Sequence, residues 1–402
     1  MLAAEFFPVW GGTGSYIIEL IKSLPKSVDI HVVTLKRNIV GMHFKEYSGD
    51  EINSILNREI QIHYVSQAKE TFLYNLPFQL ACLRKIPNLH REYRFDITHS
   101  HLTHMPDVFL KLIGRNSIPT VLTIHGTIQM LREHALLARS MFGGLEASEE
   151  SILRFYPFIR ILEQSYVERV NRLIAVSKAT TEFVVTQLGV EREKISLVYN
   201  GVDTKLFSFP TKSQIQKKYS KPTVVYIGRL ISKKGINVLI DAMPYVLRSC
   251  PETRFIFVGG GNISLYKETL VNMGIPPRNF SFVGHVGYFG RASILQEATV
   301  FVNPSFFENC SISILEAMSC GCAVTACNVG GNPEIIESGR NGLLVPAFKN
   351  KPLSDSIVSL LKDEDYNKSI CFKARKTIEE KFSSENFGRE TYKIYQQVLK
   401  KQ

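Results

Sequence analysis

The sequence predicts an α/β protein with two doubly wound domains, each built around a parallel sheet. Three observations support this prediction. Short β-branched runs alternate with helical patterns along all 402 residues, which is typical of parallel strands joined by crossover helices. Several of these runs end in glycine-rich turns. A polar and basic segment with two prolines separates a first set of strand candidates from a second.

The first domain begins with a glycine-rich turn, GGTG, which opens a helix close to Met1. Too few residues precede this turn for a typical strand, so the first strand is either a stub or starts upstream of Met1. The later strand candidates of this half are DIHVVTL, IQIHYV, FDITHSH, TVLTIHG, RLIAVS and ISLVYNGV. Residues 1–205 are therefore predicted to form the first domain.

The segment DTKLFSFPTKSQIQKKYSKP has the composition of a linker, and it places the domain boundary near residue 205. The strand candidates that follow are TVVYIGRL, RFIFVGGG, FSFVGHV, TVFVNPS, CAVTACN and GLLVP. Residues 206–383 are predicted to form the second domain. The helical pattern from Ser384 to Lys400 follows a helix that already closes this domain, so residues 384–402 are expected to cross back to the first.

Composition excludes several classes of protein. No run of eighteen apolar residues and no secretory signal pattern occur, which predicts a cytoplasmic protein. Seven cysteines without a C-x-x-C pair argue against a disulfide framework or a structural zinc site, and Cys320-Gly-Cys322 is interpreted as a turn of small residues. Most of the net charge of +11 lies after residue 200, where interleaved acids indicate solvated helix faces rather than a nucleic-acid surface.

Residues 127–170 form the least strand-like region, with two helical patterns around Gly143 and Gly144. Basic and aromatic side chains of the second pattern can face lipid head groups. These side chains are Arg154, Phe155, Phe158 and Arg160. Packing of the two helices against the domain is the favoured alternative, because Pro157 is expected to interrupt the face.

The stretch NPSFFENCSISILEAMSCGCAV carries two glutamates, Glu308 and Glu316, on either side of a predicted helix start. Ser311 is expected to cap this helix, whose amino-terminal N–H groups suit a sugar or phosphate oxygen. Glu316 lies among apolar residues one turn further on, where a carboxylate suits two hydroxyl donors such as those of a ribose. Two surface glutamates are the alternative, which the nearby Gly330-Gly331 and Glu334 disfavour.

Two cations follow the first strand of the second domain, in VVYIGRLISKKGINVLIDA. Arg229 and Lys234 lie on a loop between a strand and a helix, where they can clamp a diphosphate and stabilise the charge that develops on it. The glycine-rich end FVGGG of the next strand allows close backbone approach. Either cation alone would be interpreted as a surface residue.

These motifs resemble those of glycosyltransferase family 4, retaining enzymes of the GT-B fold. The resemblance rests on GRLISKKG, FVGGG, NPSFFENCSISILEAMSCGCAV and VGGNPEIIESGRNGLLV in the second half, and on FFPVWGGTGSYIIEL, DITHSH, VLTIHGT, IAVSKAT and VYNGVD in the first. It implies two Rossmann-like domains that face each other across a cleft. It also implies a full strand before GGTG, which would make Met1 an internal start. The sequence departs from the family at ENCSIS, which replaces a Glu-Gly-Phe-Gly kind of loop, and at Ala323, where proline is common.

The resemblance also implies roles for individual residues. Arg229 and Lys234 would hold the donor diphosphate, Glu316 the ribose hydroxyls and Glu308 the donor sugar. The residues expected to present backbone amides to the sugar or phosphate are Asn309, Cys310 and Ser311. Gly12 would lie near the diphosphate and acceptor, and His125 would approach the donor sugar from the other domain, with His101 as a weaker candidate. The stretch expected to border the base is Gly284, His285 and Val286.

The implied activity is transfer of a sugar, with retention, from a nucleoside-diphosphate sugar to an acceptor hydroxyl, without a metal or another cofactor. UDP is favoured over GDP. A lipid-linked sugar, reached at the inner face of the membrane, is the favoured acceptor, and a soluble sugar or a protein is the alternative. A nucleotide-sugar epimerase keeps the fold and remains an alternative, whereas a sugar phosphorylase would need a pyridoxal-binding lysine and is usually much longer. A dinucleotide-dependent dehydrogenase is disfavoured, because Ile17 stands where G-x-G-x-x-G requires glycine. A noncatalytic basic module is disfavoured by two glutamates and two cations in one site.

Overall fold

The computed structural model describes residues 1–7, 11–37, 46–68, 75–114, 118–142 and 147–400. The chain divides into two units. Unit 1 comprises Met1–Gly201 and Ser384–Gln402, and unit 2 comprises Val202–Ser383.

Unit 1 alternates strands and helices as the sequence pattern predicts. Its strands are β1 His31–Arg37, β2 Gln61–Ala68, β3 Thr98–His101, β4 Thr120–Ile124, β5 Arg172–Ala175 and β6 Ile195–Leu197. Its helices are α1 Gly12–Ser23, α2 Gly49–Leu56, α3 Asn75–Tyr93, α4 Val108–Leu112, α5 Ile128–Phe142, α6 Ala147–Arg169, α7 Lys178–Leu188 and, from the end of the chain, α16 Ser384–Leu399.

The first residues of the chain join two groups of parallel strands in unit 1. The order is β3-β4-β5-β6 in one group, and β1 pairs with β2 in the other. The backbone N–H of Leu2 donates to His99 of β3 at 2.9 Å, and that of Ala3 donates to Val33 of β1 at 2.9 Å. Residues 1–3 therefore occupy the position of a short central strand between β1 and β3.

Helix α16 packs on α1 within unit 1. Ser384 donates a hydrogen bond from its hydroxyl to the buried carboxylate of Glu19. Gly388 allows the two helices to meet closely, because a Cβ at this position would lie 2.3 Å from the carbonyl oxygen of Ser23. The C-terminal helix thus belongs to the core of unit 1, although most of the sequence between it and β6 forms unit 2.

Unit 2 contains six strands and eight α-helices among its described residues. The strands are β7 Thr223–Ile227, β8 Arg254–Val258, β9 Phe280–Gly284, β10 Val300–Asn303, β11 Ala323–Cys327 and β12 Leu343–Val345. The helices are α8 Lys212–Ser220, α9 Ile236–Ser249, α10 Ile263–Asn272, α11 Gly290–Glu297, α12 Ile312–Ser319, α13 Asn332–Ile335, α14 Asn350–Lys362 and α15 Glu364–Lys381, of which α13 is a single turn.

The sheet of unit 2 has the strand order β12-β11-β10-β7-β8-β9, and all its pairs are parallel. The order reverses direction at β7, which lies between β8 and β10. In open parallel sheets the crevice at such a reversal, outside the carboxyl ends of the strands, is where ligands bind. A ligand site is therefore expected at the loops after β7 and β10.

The structure confirms the predicted fold class. Each strand of the described residues overlaps a stretch that the sequence pattern predicts, although β1 and β2 extend beyond theirs to Arg37 and Ala68. Strands β10 and β11 are buried along their whole length, as expected of apolar runs covered on both faces of a parallel sheet.

The interpretation of the segment after residue 202 as a linker is wrong. Phe207 is fully buried, and Lys218 on α8 buries its chain while its ammonium donates to the carbonyl oxygen of Gly321 at 2.6 Å. Polar composition misled the prediction, because a lysine can bury its aliphatic part and still satisfy its charge with backbone carbonyls. The segment is part of unit 2 from Val202 onward.

Helices α5 and α6 pack against each other, with Gly143 and Gly144 outside the described residues. The expectation that Pro157 interrupts the second helix is wrong, because α6 continues through it. A proline removes one intrahelical hydrogen bond, and the long helix keeps the others on both sides. No helix among the described residues is long and apolar enough to cross a membrane.

Candidate functional site

The loop after β7 is fixed by the loop after β8. The backbone N–H of Gly228 donates to Val258 at 2.9 Å, and that of Leu230 donates to Gly260 at 2.8 Å. Gly259 permits this approach, since its φ is +144° and a Cβ would lie 1.8 Å from the carbonyl oxygen of Gly228. These contacts position Arg229, whose side chain is exposed and makes no hydrogen bond or ion pair with any described residue.

Lys234 lies at the other end of the same loop, just before α9. Its ammonium is 2.7 Å from a carboxylate oxygen of Glu308, which follows β10. Gly235 has a φ of +71°, and a Cβ there would lie 1.9 Å from the carbonyl oxygen of Pro304, so the start of α9 meets the end of β10 only with glycine here. The structure therefore brings Lys234 and Glu308 together at the reversal point of the sheet.

Lys234 contacts the side chain of Glu308, and the two glycines after β11 contact its backbone carbonyl. Gly331 donates its N–H to the carbonyl oxygen of Glu308 at 2.8 Å. Gly330 has a φ of +50°, and a Cβ there would lie 2.0 Å from the same oxygen. Glycine at position 330 is thus a steric requirement for the position of Glu308, and Gly331 contributes the hydrogen bond.

The expectation that the Ser311 side chain caps α12 is wrong. Ser311 is the residue before the helix, but its hydroxyl makes no capping bond. Instead it accepts a hydrogen bond from the side-chain amide of Asn303 at 3.1 Å. The N–H groups of the first turn are therefore not used by this side chain and keep their capacity to bind an acceptor. Asn309 is half-buried and Cys310 is buried on the approach to this turn.

Glu316 lies one turn inside α12, and its side chain is fully buried. No described residue donates a hydrogen bond to either carboxylate oxygen. The guanidinium of Arg291 on α11 is 3.1 Å from Oε1, close enough for an ion pair. Burial raises the pKa of Glu316 to about 7, and the charge of Arg291 opposes this rise.

Sequence reasoning missed Arg291. The stretch that it predicted to border the base, Gly284 to Val286, lies at the end of β9 and leads directly into α11, with His285 exposed. The signal was weak, because Arg291 is a lone charge in the sequence GYFGRASIL and follows no motif. Only the fold shows that α11 packs beside α12.

The remaining candidates lie in unit 1. His125 follows β4, and its Nε2 is 3.1 Å from Nδ1 of His101 at the end of β3. Burial lowers the pKa of both imidazoles, so both are neutral at physiological pH. The ring of Tyr16 on α1 packs edge-on against His125 at 4.6 Å. Gly12 begins α1 and is exposed.

Of the two glycines at the start of this turn, Gly11 has the closer surroundings, but the neighbouring atom belongs to a flexible side chain that can move. A Cβ there would lie 2.7 Å from a carboxylate oxygen of Glu5, whereas a Cβ on Gly12 would meet no atom within 4 Å. Among the residues that the structure describes, no three His, Cys, Asp or Glu side chains are arranged to hold a metal ion.

Unit 2 brings cations and two carboxylates to the point where its parallel sheet reverses direction. Unit 1 is a second unit of parallel strands and helices. This architecture is that of a glycosyltransferase of the GT-B fold. A sequence model of Glycosyltransferase Family 4 matches residues 10–206, and one of group 1 glycosyl transferases matches residues 221–363. The chain belongs to glycosyltransferase family 4, and it acts as a glycosyltransferase in glycan biosynthesis.

Three known proteins illustrate the likeness. The chain is 26% identical to alpha-maltose-1-phosphate synthase of Mycolicibacterium smegmatis, over 99% of this chain and 98% of that protein. It is 26% identical to the phosphatidylinositol N-acetylglucosaminyltransferase gpi3 subunit of Schizosaccharomyces pombe, over 99% of this chain and 80% of that protein. The crystal structure of Anabaena HepE in complex with UDP-glucose superimposes with a TM-score of 0.74 at 20% identity, over 98% of each chain.

Proposed function

We propose that this protein is a retaining glycosyltransferase that moves a sugar from a UDP-sugar to a hydroxyl group of a lipid-linked sugar. The observation that carries the donor assignment is the buried carboxylate of Glu316, which receives no hydrogen bond from any described residue. Such a group is costly unless a ligand supplies donors. The two adjacent hydroxyls of a ribose supply two donors to one carboxylate.

Arg229 and Lys234 bind the diphosphate in this proposal. Both lie after β7, and the uncapped first turn of α12 presents N–H groups at the neighbouring strand end. Fixed cations and helix amides are the groups that stabilise phosphate oxygens. Glu308 then contacts the donor sugar, and Lys234 exchanges its carboxylate partner for phosphate when the donor binds.

The reaction breaks the bond between the anomeric carbon and the phosphate oxygen and forms a bond from the acceptor oxygen on the same face of the sugar. The acceptor's proton passes to the leaving diphosphate, whose developing charge Arg229 and Lys234 stabilise. These two cations supply the charge that a divalent metal would otherwise supply, so transfer is expected to need no metal. In unit 1, His125 is neutral, lies 3.1 Å from His101, and is the candidate group for hydrogen bonding to a sugar hydroxyl.

UDP is preferred over GDP as the donor nucleotide, in line with the UDP-glucose complex of HepE. A lipid acceptor is in line with the gpi3 subunit, whose name states that it acts on phosphatidylinositol.

Binding of the donor is tested by thermal denaturation with UDP-, GDP- and ADP-sugars and with NAD. A UDP-sugar at a hundredfold excess over its Kd is expected to raise the midpoint by about 5 °C, since it binds only the folded protein. The stabilising sugar nucleotide is then assayed in EDTA with lipid-linked sugars, and NMR of the product reads the anomeric configuration. Stabilisation by NAD alone, inversion of configuration, or activity that EDTA abolishes and Mg²⁺ restores would each contradict part of the proposal.

An exposed apolar face of unit 1 supports a peripheral contact with the cytoplasmic face of a membrane. On α6, Phe158 is 65% exposed and Ile161 is 69% exposed, and they share one side of the helix with Arg154. On the neighbouring α5, Leu136 and Met141 are also exposed. Large apolar side chains next to arginines suit the interface of an anionic bilayer, where they insert while the charges meet head groups.

The membrane contact is tested by sedimentation with vesicles of phosphatidylcholine alone or with phosphatidylglycerol. The wild-type protein is expected to sediment with the anionic vesicles at low salt, and the double variant F158S/I161S is expected to stay in the supernatant. Both side chains are exposed, so the variant should keep its melting temperature. Equal sedimentation of both proteins, or dimerisation that the variant abolishes, would assign this face to another partner.

A further inference from the structure

Arg291 holds an unusual position beside the buried carboxylate of unit 2. Its guanidinium lies 3.1 Å from Oε1 of Glu316, yet no hydrogen bond of acceptable geometry joins them. It also lies over the ring of Tyr288, with 5.2 Å between the guanidinium carbon and the ring centroid. The cation therefore neutralises the carboxylate without occupying its lone pairs, which stay available to a ligand.

Among the described residues, Arg291 is the charged group that lowers the pKa of Glu316 against the effect of burial. Helix α12 packs against α11, α15, β10 and β11. Helix α15 brings Arg375, whose guanidinium binds the Ser319 carbonyl and Glu379. The titratable thiols of Cys320, directly after α12, and of Cys327 on β11 both have a raised pKa and stay neutral. Glu316 thus depends on a single cation to remain ionised.

We propose that Arg291 is a positioning residue for the donor nucleotide: it keeps Glu316 charged and its oxygens free, so that the carboxylate accepts both ribose hydroxyls at neutral pH. The proposal rests on the proposed function, because it assumes that Glu316 receives a ribose. A protonated Glu316 would have to donate from one oxygen and could no longer accept from both hydroxyls with equal strength. Without Arg291, the pH at which the affinity for the donor rises should be higher.

The first experiment measures the dissociation constant of UDP-glucose from pH 5.5 to 9 by calorimetry, for the wild-type protein and R291Q. The pyrophosphate of UDP-glucose does not titrate in this range, so changes report the protein. The wild-type affinity is expected to rise with pH through the pKa of Glu316 near 7. In R291Q this rise should occur at higher pH and leave the affinity at pH 7 about tenfold weaker. R291K, which keeps the charge, should restore most of the wild-type profile.

The second experiment separates the ribose from the rest of the nucleotide. If Arg291 acts through Glu316, R291Q should weaken UDP binding about tenfold at pH 7 but leave 2′,3′-dideoxy-UDP almost unaffected, because that analogue has no hydroxyls to donate. The matched control is R248Q. Arg248 lies over the ring of Tyr245 in the same unit, is exposed, and should leave both affinities unchanged.

The outcomes distinguish the inference from the function on which it rests. If neither UDP-glucose nor GDP-mannose binds the wild-type protein, the proposed donor site is wrong. If the nucleotide binds and R291Q keeps the wild-type pH profile, or loses UDP and the dideoxy analogue equally, the positioning role of Arg291 is wrong. A lower melting temperature of R291Q with unchanged nucleotide discrimination would make Arg291 a purely structural residue.

Discussion

Replacing Lys234 with methionine is expected to reduce turnover about a thousandfold, because a fixed cation that stabilises charge on a departing oxygen contributes several kcal/mol to the transition state. The side chain keeps its length and its approximate volume, so the packing of the loop after β7 should be preserved. The effect should fall mainly on kcat, since Arg229 and the first turn of α12 still bind the ground-state diphosphate. Steady-state kinetics with the stabilising sugar nucleotide measure this change.

The kinetic measurement must distinguish a loss of catalysis in K234M from a loss of folding stability. Lys234 is paired with Glu308, so K234M also leaves a carboxylate that is 13% exposed without its cation. A loss of folding stability would appear in the melting temperature without donor, and a loss of catalysis would not. The control K267M removes an exposed lysine of α10 in the same unit. If K234M and K267M have the same kcat, Lys234 plays no part in the chemistry.

The strands were predictable because they depend on local patterns. Apolar runs such as those of β10 and β11 must be buried, and their glycine-rich ends must turn. The sequence also indicated that Glu308, Lys234 and Arg229 belong together, since carboxyl ends of parallel strands meet at one edge. Gly330 and Gly235 then proved to be the residues that bring their loops into contact.

The errors came from features that only tertiary structure determines. Ser311 has the identity of a capping residue, but Asn303 on the preceding strand engages its hydroxyl instead. Arg291 reaches Glu316 because α11 lies against α12, a contact between residues that no local pattern connects. The contact between His101 and His125 was not predicted, because the neighbouring register of β3 and β4 cannot be derived from either strand alone.

Replacing Glu316 with glutamine is expected to weaken binding of the UDP-sugar about a hundredfold, because the charged acceptor of two hydroxyl hydrogen bonds is lost. The two side chains have nearly the same shape, so the packing of α12 should be unchanged. Calorimetric titration at pH 8, where the wild-type carboxylate is ionised, measures the difference. An affinity equal to that of the wild-type protein would remove Glu316 from the donor site.

The same variant makes a second prediction with a defined sign. Burial raises the pKa of Glu316 from 4.5 to about 7, so the folded protein holds a proton there that the unfolded chain releases. This group therefore stabilises the fold fully below about pH 4.5, and the contribution is lost as pH rises to 7, by on the order of 3 kcal/mol.

E316Q removes this dependence. The difference in unfolding free energy between E316Q and the wild-type protein should shift in favour of E316Q as pH rises from 4.5 to 7, and then stay constant. Bound UDP-sugar should reverse the trend in the wild-type protein, because ribose hydroxyls stabilise the ionised carboxylate. A carboxylate kept only for stability would show the pH trend without this reversal, so the pair of measurements tells a binding group from a structural one.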